Sequence, residues 1–286
     1  MQARASSDFK KLMTDGLVDA GLTYSDAVSF ATPRRLALSI NGLPEQSPST
    51  SRELKGPRLD APEKAIEGFL RSTGLTKAEL GVCEDKKGQV YVAKIETVSR
   101  GASEIVAEVL ESVIRSFPWP KSMRWGSGSL KWVRPLHSIL CILSDDVESA
   151  IVPLQIDGIH SGDTTFGHRF LAPAEFSVSR FEDYVSKLKK AFVILDSTER
   201  ENIIRQEAEN QAFANGCELI EDNGLLAEVA GLVEWPVVLC GNIHENFWDL
   251  PHEVLKTSMK EHQKFFSLKN LKTGHIEKFI TVANRE

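Results

Sequence analysis

The sequence predicts an α+β fold made of two mixed helix and sheet domains, residues 1–172 and residues 173–286. Three observations predict it. Helical and alternating apolar patterns interleave without the even rhythm of a doubly wound sheet. Of the 286 residues, 42% are apolar and 26% charged, a balance that can fill a core and excludes a disordered chain. Near residue 172 the texture shifts to charged helices, which sets the boundary between the domains.

The first helix is expected over Asp8–Ala20, where Phe9, Leu12, Met13, Leu17 and Val18 share a face and Gly21 stops the chain. In the segment 27–40 the second half reads as a strand, with Leu36, Leu38 and Ile40 on one side. Residues 43–52 read as a Pro/Ser-rich loop. Asp60-Ala61-Pro62-Glu63 starts a second helix, with Asp60 as the cap and Gly74 as the stop. Lys86-Lys87-Gly88-Gln89 predicts a turn into a strand over Val90–Ile95. Ala102–Phe117 is the clearest helix, with apolar pairs every three to four residues.

Strands follow near 136–143 and 150–156, and a Gly/His loop over 158–170 closes the first domain. The second domain opens with helices over Ser179–Lys190, from the capping box Asp196-Ser197-Thr198-Glu199 to Asn215-Gly216, and over Leu225–Glu234. Val237–Cys240 and Lys278–Ala283 read as strands, and Pro251–Phe265 as a helix.

Charge is uneven. Residues 1–174 hold 21 basic and 21 acidic residues, 191–255 hold 2 and 13, and 256–286 hold 7 and 3. A net charge of −6 therefore conceals local basic patches, and patches bind phosphates. Residues 112–144 contain no acid. They carry Arg115, Lys121, Arg124, Lys131 and Arg134, with Trp119, Trp125 and Trp132 between them. Cations neutralise phosphates and tryptophan faces can stack on bases. The competing expectation puts Trp125 and Trp132 in the core.

No catalytic constellation is legible: HExxH, GxSxG and GxxxxGK[ST] are all missing, and no two histidines have metal-pair spacing. The four cysteines lie far apart, so zinc is not expected, and reduced thiols fit a cytoplasmic protein. No apolar run is long enough for a membrane span, and the opening residues lack a secretory signal.

Several blocks resemble the β subunit of bacterial glycyl-tRNA synthetase. They are Phe30-Ala31-Thr32-Pro33-Arg34-Arg35-Leu36-Ala37, Pro120–Gly126 with Val133-Arg134-Pro135-Leu136-His137, Gly167-His168-Arg169-Phe170, Leu232–Pro236, Leu250–Leu255 and Met259–Phe266. They occur in the family's order and span essentially the whole chain. The chain opens almost at the family's first helix and stops before its HD-like and anticodon-binding regions, so an N-terminal fragment is expected. The spacer between Lys55-Gly56-Pro57 and Gly68-Phe69 is shorter than usual.

The resemblance implies an α2β2 enzyme that ligates glycine to tRNA(Gly). ATP with Mg2+ would be used by the α subunit, and the β subunit would bind tRNA and support assembly. The expected partners are then the α subunit and tRNA(Gly), with no DNA and no membrane. This chain would hold no catalytic residue, no metal and no cofactor of its own. Arg34, Arg35, Lys121, Arg124, Arg134, His168 and Arg169 become candidate RNA contacts, and Lys260, His262 and Lys264 candidate partner or RNA contacts. A stand-alone RNA-binding module and an editing-type hydrolase are the alternatives.

Overall fold

Apolar spacing builds the helices, and tertiary contacts set their ends. The computed structural model describes residues 1–85 and 88–285. Helix α1 (Gln2–Asp19) starts six residues before its expected position. Its first turn is held from outside by Gln2 Nε2, which donates to the Gly231 carbonyl at 2.7 Å, and within the helix Arg4 pairs with Asp8. Met13 and Leu17 are buried as their spacing requires, while Val18 faces solvent. Helix α2 (Glu63–Thr73) is preceded by Pro62 rather than capped by Asp60, and Gly74 ends it in the left-handed conformation at φ 69°. Helix α3 (Ala102–Ser116) matches its expected span within a residue.

Both halves of the 27–40 segment are strands. Asp26–Ala31 and Leu36–Asn41 form an antiparallel hairpin closed by Thr32–Arg35. Thr32 Oγ1 accepts from the amides of Arg34 and Arg35 and fixes that turn. The loop expected at 43–52 yields to a strand from Thr50 to Arg58, which joins 88–97 and 81–85 in a three-stranded sheet. Of the turn expected there, Lys86 and Lys87 lie outside the described residues. Strands 139–140 and 142–144 pair with 159–162 and 149–151. The expected Gly/His loop contains two short strands, 159–162 and 164–166.

Two helices of the second half keep close to their expected spans: α4 (Phe181–Lys190) and α5 (Ser197–Ala214). Asp196 caps α5 by accepting from the Thr198 amide at 2.8 Å, but Glu199 pairs with Lys189 instead of completing the box. Helix α6 (Asn223–Ala230) stops four residues before its expected end, and Asp222 caps it. Helix α7 (His252–Ser258) passes into a π-helical turn over Met259–Gln263, ended by Lys264 at φ 60°. These helices flank an antiparallel sheet ordered 217–219, 266–270, 276–283, 237–242. Ile204, Leu225, Leu226, Phe266, Leu268 and Ile280 form its core.

Leu36, Leu38, Ile139 and Cys141 face α1 and α3. Phe30, Ala37, Leu140 and Ile142 pack with Val178, Tyr184 and Leu188 on the other side. This second cluster unites residues from both sides of position 172, so a shared core crosses the expected domain boundary. A cleft of about 1500 Å³ runs between the 36–41 and 139–144 strands, and Arg34, Arg134 and Arg169 are among its lining residues.

Candidate nucleic-acid interface

Three of the sequence blocks meet at one buried carboxylate. The hairpin turn delivers Thr32 and Arg35, the 167–170 turn delivers Gly167, and the segment after α6 delivers Glu234. Thr32 Oγ1 donates to Glu234 Oε1 at 2.6 Å. Arg35 Nε lies 3.0 Å from the same oxygen but is misaligned for a hydrogen bond, and Arg35 Nη2 donates to the Gly167 carbonyl at 3.0 Å. The Glu234 amide donates to Asn284 Oδ1, and its carbonyl accepts from the Ile194 amide. Glu234 Oε2 has no partner among the described residues.

Arg200 closes the knot and is wholly buried. Its guanidinium donates to the carbonyls of Ala31, Ile194, Leu195 and Ala230 at 2.7–3.0 Å. Ala230 ends α6, so the cation sits at the negative end of that helix. Burial pulls the Arg200 pKa down from its usual range and Glu234 pulls it back. Arginine remains charged under any such shift near neutrality. Burial likewise raises the Tyr184 pKa, with Arg35 and Glu234 acting on it in opposite directions.

His168 is fully buried, a correction to its candidacy as an RNA contact: it has no surface to offer. Its Nδ1 accepts from the amides of Leu171 and Phe170, and its own amide donates to the Ala191 carbonyl. It organises the turn. Gly167 is required there because a Cβ would lie 2.3 Å from the Ala172 carbonyl oxygen and 2.6 Å from the Ala191 Cβ. Arg35 is also largely spent on structure, with its side chain 13% exposed against Glu234.

The remaining candidates divide by position. Arg34, Arg134 and Arg169 are exposed, and all three are among the residues lining the cleft. Arg134 Nη1 donates to the Pro33 carbonyl at 3.1 Å, which sets it beside Arg34. Lys121 and Arg124 belong instead to a separate excursion around the hairpin of 123–124 and 131–132, where Arg124 stands opposite Lys131. Trp132 joins Phe117 and Trp119 in the core, as expected. Trp125 does not: it is exposed, and its Nε1 donates to the Trp132 carbonyl. Lys260 and Lys264 are engaged with Asp222 at 2.6 Å and Glu228 at 3.0 Å, while His262 is exposed.

The Gly126-Ser127-Gly128 loop does not fit a nucleotide phosphate. The Asp157 carboxylate already accepts from the amides of Ser129 and Leu130, and it would repel a second anion. Among the described residues, no three His, Cys, Asp or Glu side chains are grouped to hold a metal ion. Burial pushes the Cys141 thiol up to about 11, so it is protonated at neutral pH and a poor nucleophile. No helix among the described residues is long and apolar enough to cross a membrane.

Sequence reasoning found the arginines of the rim but missed Arg200 and Asn284. Arg200 sits on a charged helix, and its position in the pattern looks like that of any solvated arginine.

The chain belongs to a family of aminoacyl-tRNA synthetase subunits. Residues 1–286 match the family described as glycyl-tRNA synthetase beta subunit, and the chain belongs to that family. It is 66% identical over its whole length to the glycine--tRNA ligase beta subunits of Ruegeria sp. (strain TM1040) and Paracoccus denitrificans (strain Pd 1222). It is 60% identical to that of Dinoroseobacter shibae (strain DSM 16493 / NCIMB 14021 / DFL 12). The chain spans 42% of the length of the first two relatives and 40% of the third.

Proposed function

We propose that this chain is a tRNA-binding and assembly part of a glycine--tRNA ligase that works with an α subunit in an α2β2 complex in the cytoplasm. The observation that carries the reading is that three exposed arginines from distant segments, Arg34, Arg134 and Arg169, line the same cleft. Each presents a guanidinium that matches phosphate geometry. ATP with Mg2+ is assigned to the α subunit; in this chain the Gly126-Ser127-Gly128 loop is beside the Asp157 carboxylate, which disfavours a phosphate there. This chain then holds tRNA(Gly) while glycine is activated elsewhere, and it needs no cofactor of its own.

The test is binding of glycine-accepting tRNA by the assembled full-length enzyme across a salt series. Arg34→Ala and Arg134→Ala should each weaken binding and each lower the salt slope by about one unit. Wild-type affinity and slope in both variants would refute the assignment. In a parallel assay, this chain alone should show no glycine-dependent pyrophosphate exchange. Robust exchange would place the activation chemistry here after all.

A further inference from the structure

Beside the buried knot stands an exposed aromatic ring, Phe170, next to Arg169 of the cleft lining. Phe170 is 56% exposed, yet its backbone belongs to a turn fastened from below. Its amide and that of Leu171 point at the buried His168 ring, the Ala172 amide donates to the His168 carbonyl, and Gly167 has no room for a side chain. The Arg169 and Arg285 guanidiniums lie over the Phe170 ring, their carbons 5.5 Å and 5.0 Å from its centroid. Arg285 follows Asn284, the residue that holds the Glu234 and Trp235 amides.

A second aromatic pair is tied to the same anchor. Ala191 accepts from the His168 amide, and the next residue, Phe192, is held at φ 59°, an unfavourable conformation for a bulky side chain. Phe192 is partly exposed and packs edge-on against Trp235 at 5.2 Å. Among the described residues, Arg34, Arg134, Arg169 and Arg285 form no ion pair with a carboxylate. The surface therefore keeps its positive charge available.

We propose that Phe170, its ring covered by the Arg169 and Arg285 guanidiniums in the free protein, is a stacking platform for one unpaired base of a bound RNA. An incoming base displaces the guanidiniums from the ring face, and they move to the phosphates on either side of it. An aromatic ring accepts any base face, and paired arginines select a polyanion over an apolar peptide. The rigid turn keeps the ordering cost of binding low. This proposal rests on the tRNA-binding reading above and names a contact within it.

The experiment uses the assembled full-length enzyme and a glycine-accepting tRNA transcript. Phe170→Ala and Phe170→Leu should weaken binding about 5- to 150-fold, the range of one base–aromatic stack, and leave the salt slope unchanged. Phe170→Trp should restore it. Arg169→Ala and Arg285→Ala should each lower the slope by about one unit. The leucine variant keeps apolar bulk and decides the matter if the alanine variant fails to fold. Wild-type affinity in Phe170→Leu, with the wild-type enzyme binding tRNA normally, overturns the platform and leaves the tRNA-binding reading standing. Loss of subunit association without loss of RNA affinity overturns it in favour of a protein contact. No tRNA binding by the wild-type enzyme would instead sink the reading on which it rests.

Discussion

Glu234 shows how one side chain can hold distant segments together. It is completely buried, accepts from Thr32 and faces Arg35, more than 190 positions earlier in the chain. Replacing a buried ion pair by apolar groups can be neutral, but removing one partner strands the other. Glu234→Ala should therefore cost about 3–5 kcal/mol, measured by urea denaturation, because Arg35 loses its counter-charge in a dry site. A loss below about 1 kcal/mol would mean that water already solvates Arg35. The sequence marks the Arg34-Arg35 pair as notable but cannot say which arginine turns inward. The hairpin turn decides it: Thr32 locks residues 32–35, and one arginine is left facing Glu234 while the other meets solvent.

At the scale of an element, the hairpin around Trp125 depends on a residue outside it. Asp157, itself in a turn at φ 48°, accepts from Ser129 and Leu130 and lies 3.7 Å from Arg115. The Leu130 amide is the main cause that holds its carboxyl below the usual aspartate range. A lowered folded-state pKa contributes stability above the unfolded value and loses it as pH falls through the folded one. The amide resonances of Ser129 and Leu130 should therefore hold steady from neutrality down to about pH 4, the ordinary aspartate range, and shift together below it. Asp157→Ala should remove that acid transition and speed amide exchange at both positions. An acid transition that persists in the variant would assign it to another group.

Other elements show where periodicity suffices. Helix α3 is evident from its spacing because one face packs wholly against the core, with Ile105, Val106, Leu110, Val113 and Ile114 all buried. The start of α1 is not evident, since Gln2 reaches a carbonyl of residue 231. The strands at 50–58 and 164–166 were hidden for a similar reason. Their backbone partners lie elsewhere in the chain, and their own residues alternate weakly.

For the whole molecule, the expected division after residue 172 bears on how it unfolds. Leu140 and Ile142 share a core with Tyr184 and Leu188, Arg200 binds the Ala31 carbonyl, and Glu234 reaches Thr32. Contacts of this kind couple the two halves. Thermal unfolding followed by tryptophan fluorescence and by far-ultraviolet circular dichroism should give coincident transitions, and Glu234→Ala should lower both midpoints together. Two separated transitions, with only the later one sensitive to Glu234, would establish independent domains.

The sequence by itself determined the α+β class, most helices, the basic and acidic asymmetry and, through six ordered blocks, the family. These follow from local spacing and residue type, which act over a few positions. Tertiary structure alone decided that His168 is buried, that Trp125 is exposed, that Lys260 and Lys264 are engaged with acids, and that Arg200 belongs to the core. Most of those outcomes depend on a partner remote in sequence: Ala191 for His168, Asp222 and Glu228 for the two lysines, Ala31 and Ala230 for Arg200. In a low-dielectric interior a polar group is stable only where such a partner meets it, and that meeting is a property of the folded chain.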